Sequence, residues 1–162
     1  MNTQEIQPPP PPWQKVGVAA VGGLIMVGFA EDSDLLLVLS HDGAGVFDAT
    51  CGARIARDAD VNSFELLDSI KCIARGIGPL ADQRIAIAGL FGGGLTTVTK
   101  DGFFVDSRAP QWPSHIIVLR QERVEHIVGT DGACELRAFG FSHTGRSLII
   151  ATSCDITFFA RD

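Results

Sequence analysis

Apolar positions along the chain come in short runs separated by polar turn residues, and one such pattern occurs twice. Val27 to Ala49 reads "VGFAEDSDLLLVLSHDGAGVFDA": an apolar run, an acidic turn, a second run, an Asp-Gly pair and a third run. Asp-Gly accepts the positive φ angles of a two-residue hairpin, and runs of this length on either side predict strands. Moved 112 positions along the chain without a gap, the segment falls on residues 139–161. Gly28-Phe29 then matches Gly140-Phe141, Leu36-Leu37-Val38 matches Leu148-Ile149-Ile150, and Val46-Phe47 matches Phe158-Phe159. Such self-similarity predicts one supersecondary unit used twice.

The repeat also bears on the two ends of the chain. Its last copy has three strands and no outer fourth, and a bare strand edge invites aggregation. Lys15 to Val21, an apolar segment ahead of the first copy, is expected to pair with the C-terminal sheet. The charge-free run Val16 to Ala30 is 15 residues long, short of the roughly 20 that a membrane span needs. Glu5 and five consecutive prolines precede it, unlike a secretory leader, and the repeat makes its second half a strand.

A blurred middle copy covers Gly76 to Ala88 and Thr97 to Asp106, with an Asp101-Gly102 hairpin and His115 to Arg120 as an outer strand. Between the first and middle copies, Phe64, Leu67, Ile70 and Ile73 recur every third residue behind Asn62 and Glu65, an approximate capping box. This predicts a short helical insertion over 62–73; the competing reading makes Ser69 to Ala74 a strand.

The unit resembles a WD-repeat blade of the β-propeller family. Phe29-Ala30, Leu35 to Ser40, Asp42-Gly43 and Val46-Phe47-Asp48 fill the blade's roles, and Thr50 to Arg57 resembles the next turn and outer strand. The family's Trp is Phe at Phe47 and Phe159, and its Gly-His pair is absent. The resemblance implies an all-β fold of about three four-stranded blades with a short helical insertion; a β-sandwich is the alternative. Residues 1–12 are expected to be a disordered proline-rich tail, and 13–162 one domain.

The net charge of −6 argues against direct nucleic-acid binding, which requires clustered Lys and Arg. Residues 1–70 carry −7 and residues 71–162 carry +1. The acidic half suits a basic protein partner, with Glu31, Asp32, Asp34 and Asp42 as contact residues and the Phe64 to Ile73 insertion as the next candidate. Cys51, Cys72, Cys134 and Cys154 lack zinc-ligand spacing and are expected to be buried thiols in the reducing cytoplasm, with two disulfides as the alternative for an exported protein.

No motif supplies a complete catalytic set. Gly140 to Thr144 has Thr144 where a nucleophile elbow needs Gly. Gly89 to Thr96 has Leu95 where a phosphate loop needs Lys. The four histidines share no ligand spacing. The expectation is therefore a non-catalytic protein-binding module without cofactor, metal or membrane contact. By compositional analogy it resembles bacterial immunity proteins that neutralise a basic, nuclease-type toxin. The alternatives are a scaffold subunit that self-associates to complete a larger propeller, and a small hydrolase using Ser142 or a histidine.

Overall fold

The computed structural model describes residues 5–162. Five strands come first: β1 Gln14–Ala20, β2 Leu24–Phe29, β3 Leu35–Ser40, β4 Gly43–Asp48 and β5 Ala53–Asp58. The helix α1 Ser63–Leu66 precedes four short strands, β6 Leu67–Asp68, β7 Ile73–Arg75, β8 Arg84–Ala86 and β9 Ala88–Gly89. The remainder is β10 Phe103–Gln111, β11 Ser114–Gln121, β12 Val124–Thr130, β13 Leu136–Phe141, β14 Ser147–Thr152 and β15 Asp155–Ala160. The protein is all-β, built of small antiparallel sheets, none of them closed.

The first sheet runs β5-β4-β3-β2-β9 and the last runs β1-β15-β14-β13. Strands β2, β3 and β4 recur as β13, β14 and β15 with identical lengths, each displaced by 112 residues. Pairing register repeats as well, down to an irregularity between Leu24 and Met26 that returns between Leu136 and Ala138. β1 takes the place beside β15 that β5 takes beside β4. The two outer strands even share a bulge, at Ile55 in β5 and at Val16 in β1. The N-terminal strand thus completes the C-terminal sheet, as the bare edge of the last copy predicted.

The conserved spacing of Gly28 and Gly140 has a steric cause. β9 lies antiparallel along β2, and Thr96 pairs with Phe141 of β13. A Cβ at Gly28 would overlap the Ala86 carbonyl, and one at Gly140 would overlap Leu95. Both copies therefore need glycine where a further backbone crosses the innermost strand.

Alternating side chains send the strands' apolar residues to both faces, and three hydrophobic clusters result. One joins the first and last sheets through Val27, Leu36, Val38, Phe47, Ile149, Ile156 and Phe158. The second joins the opposite face of the first sheet to the small sheet β6-β7-β8 through Met26, Leu37, Val46, Ala74, Ile85 and Ile87. The third joins the last sheet to β10-β11-β12 through Trp13, Phe103, Ile117, Phe141, Leu148 and Phe159. Burial on both faces is why these strands read as nearly continuous apolar runs.

Several expectations are corrected. The middle copy does not form a blade: Ile73 to Ala86 and Phe103 to Thr130 enter different sheets, giving four sheets where three blades were expected. The segment between them crosses β13 through the Thr96–Phe141 pair, and the expected Asp101-Gly102 hairpin does form, with Val98 pairing with Phe104 of β10. Asn62 caps α1 as expected, its side chain accepting from the Phe64 amide at 3.0 Å. The helix nevertheless stops after Leu66, because Leu67 and Asp68 pair with β7. Ile70 and Ile73, assigned to its apolar stripe, are exposed. Of the expected tail, residues 1–4 lie outside the described residues, and Gln7 is tied to β12. The Gln7 amide donates to the Ile127 carbonyl at 2.7 Å, and its side-chain oxygen accepts from the Ile127 amide at 3.0 Å.

The cysteines also differ from the buried thiols expected. Cys134, just ahead of β13, and Cys154, in the β14–β15 turn, form a disulfide. The Ser153–Glu135 backbone bond brings those two segments together. Cys51 is an exposed thiol and Cys72 a half-buried one. Among the described residues no helix is long and apolar enough to cross a membrane.

Candidate protein-binding face

The four acids proposed from sequence divide between two ends of the first sheet, because consecutive turns of an antiparallel meander face opposite ways. Glu31 and Asp32 are exposed in the β2–β3 turn. Asp34 in the same turn is not a surface acid, being only 7% exposed. Its carboxylate accepts from the Thr144 hydroxyl at 2.7 Å and the Ser147 hydroxyl at 2.9 Å, with the Arg146 guanidinium 3.5 Å away. Asp34 clasps the first copy of the repeat to the last. At the far end of the same strands, Arg137 donates to the Leu24 carbonyl at 3.0 Å, making a second clasp.

Asp42 lies at the other end, exposed beside His41 in the β3–β4 turn. Here the insertion is docked onto the hairpin. The buried Ser63 hydroxyl lies 2.8 Å from the Ser40 carbonyl and 2.9 Å from that of Gly43, and it pins α1 across the turn. The next residue, Phe64, is thereby held outward. Its ring sits 5.7 Å from His41 and 6.2 Å from Phe91, which the glycine loop after β9 presents. Phe64 is 47% exposed, Phe91 41% and Leu90 48%. Large apolar groups gathered on a surface mark a contact site far more often than scattered ones do.

The segment that carries Phe64 is charged: residues 57–75 hold the exposed acids Asp58, Asp60, Glu65 and Asp68 and the exposed bases Arg57, Lys71 and Arg75. Asp58 accepts from the amides of Asp60 and Val61, and Asp68 from those of Ile70 and Lys71, so each acid also stiffens the turn that carries it. Of this face, Asp42 was named from sequence and the insertion was the second candidate. Phe91 was missed, since a glycine-rich loop carries no periodicity. Phe64 lies in the insertion that the sequence offers as the second contact candidate.

Several other polar groups have structural partners. Ser142 is buried, and its hydroxyl accepts from the Ser147 amide at 3.1 Å and lies 3.0 Å from that of Thr144. His143 beside it is exposed, and His115 lies 3.1 Å from Asp131. Arg108 grips Glu125 through two bonds of 2.9 and 2.6 Å, and this lowers the Glu125 pKa. Arg161 packs against Trp13 and Phe103 while binding Asp101 at 2.5 and 2.8 Å. No protein-family model, curated protein or solved structure matches the chain.

Proposed function

We propose that the chain is a non-catalytic protein-binding module that grips a basic partner through the Phe64–Phe91 face and its acidic surround. The observation that carries this reading is the pair of exposed rings, Phe64 held outward by the buried Ser63 hydroxyl before it and Phe91 presented by the glycine loop, with exposed carboxylates in the Phe64 segment. Desolvated aromatic anchors supply most of the affinity at protein interfaces, while surrounding charge steers approach. The four sheets form an open, β-propeller-like arc in which the repeats act as scaffold and the insertion as contact element.

In its most specific form, the module is an immunity protein whose acidic face occupies the nucleic-acid groove of a nuclease-type toxin. The Cys134–Cys154 disulfide favours an oxidising compartment over the cytoplasm expected from sequence. Self-association to complete the arc is the second reading, favoured by exposed Ile73 and Val98 beside the small sheets.

The test is native copurification followed by binding kinetics on the recovered partner. Phe64→Ala should weaken binding about thirtyfold or more, mainly by faster dissociation. Glu65→Lys with Asp68→Lys should slow association at low salt and much less at high salt, since exposed charges are screened over about 8–10 Å. A stoichiometric partner that binds both variants as it binds the native chain would refute the reading. A homo-oligomer with no other partner would support the second.

A further inference from the structure

A cleft of about 230 Å³ opens between the outer part of the first sheet and the β1–β2 turn. Arg54, Arg57, Ser40, Asp42, Gly45 and Gly22 line it. Three residues apart on a regular strand, Arg54 and Arg57 would point to opposite faces. The bulge at Ile55 inserts one residue between them, so that Arg54 lies opposite Phe47 and Arg57 opposite Gly45. Both guanidiniums are thereby turned to the same face. Gly45 leaves the space between them open: a Cβ built there would already lie 4.0 Å from the Arg54 side chain. Neither arginine has an ion pair or side-chain hydrogen bond among the described residues.

The last sheet is an internal comparison. Its outer strand has the same bulge and register, yet Lys15, Val18 and Thr157 stand where Arg54, Arg57 and Gly45 stand in the first. The fold therefore needs neither the two arginines nor the glycine. We propose that this cleft binds the phosphate group of a small phosphomonoester. Two unpaired guanidiniums on one face repel each other, and an anion carrying close to two charges neutralises both. A phosphomonoester does so near neutral pH, and its oxygens suit the donor fork of arginine. The volume lies below that of most drug-sized pockets and holds a phosphate with a few attached atoms. Asp42 at the same cleft opposes the anion, which makes its removal informative.

The experiment is an amide-resolved NMR titration of the full chain with inorganic phosphate and glycerol 3-phosphate, at constant ionic strength against chloride and acetate. Saturable shifts should centre on Gly43 to Gly45, Arg54 and Arg57. Arg54→Gln and Arg57→Gln should each weaken phosphate binding about tenfold, and the double variant should abolish it. Both residues are exposed on an outer strand, so an unchanged melting temperature certifies the fold of the variants. Asp42→Asn should tighten phosphate binding about two- to fivefold, although the protein-binding reading above expects the same change to weaken a basic partner. The proposal is overturned if phosphate gives no saturable shift, if acetate binds equally well, if the double variant binds normally, or if Asp42→Asn weakens binding.

Discussion

Replacing Asp34 by Ala should destabilise the protein severely, although Asp34 sits in an acidic turn beside two solvated acids. Its carboxylate is only 7% exposed, and the Ser147 hydroxyl that it holds at 2.9 Å is completely buried. A hydrogen bond to a charged group contributes about 1.5–3 kcal/mol, and a buried hydroxyl left without its partner loses that amount in full. The Thr144 bond at 2.7 Å is part-buried and adds less. The sum for Asp34→Ala is about 3 kcal/mol, a large part of the 5–15 kcal/mol that holds a typical domain together. For a chain of this size that lowers Tm by about 6–12 °C. Urea unfolding of Asp34→Ala, Ser147→Ala and the double variant measures it directly. The pair should show a coupling energy above about 1 kcal/mol, and the exposed Asp32→Ala should stay within about 0.5 kcal/mol of the native chain. If Asp34→Ala proves as mild as Asp32→Ala, the two copies of the repeat are not clasped here.

Gly28→Ala should cost more than about 3 kcal/mol in thermal unfolding, since its Cβ overlaps the Ala86 carbonyl, a backbone atom that cannot swing away. Deleting residues 1–12 removes the Gln7–Ile127 pair and should cost about 1–2 kcal/mol. Deleting 1–22 also removes β1 and the buried Trp13, and size-exclusion chromatography should show aggregates; equal behaviour of the two truncations would argue against edge closure. The bonds from Arg161 hold the Asp101 carboxyl far below the usual carboxylate range. A depressed carboxylate stabilises the fold above its unfolded pKa, near 4, and loses that contribution as pH falls below it. Asp101→Asn should therefore lower stability slightly at pH 7 and by less at pH 2, where the contribution is only partly lost, the effect being small because Asp101 is exposed.

Local chemistry was enough to reveal the repeat, its hairpins and the closing role of Lys15 to Val21. Turn residues and alternating apolar positions act within a few residues of one another, and a missing fourth strand leaves a visible demand for a partner. Asp34 shows where that logic stops. Its neighbours in the chain are solvated acids, while the hydroxyl that buries it arrives from 113 residues away. The threefold spacing of Phe64, Leu67, Ile70 and Ile73 predicts one helix, but pairing of Leu67 and Asp68 with β7 ends it after Leu66. Cys134 and Cys154 became partners only when the β14–β15 turn folded beside the start of β13. Strand alternation alone sends Arg54 and Arg57 to opposite faces. The bulge that unites them is a property of how β5 pairs with β4, and pairing belongs to the tertiary structure.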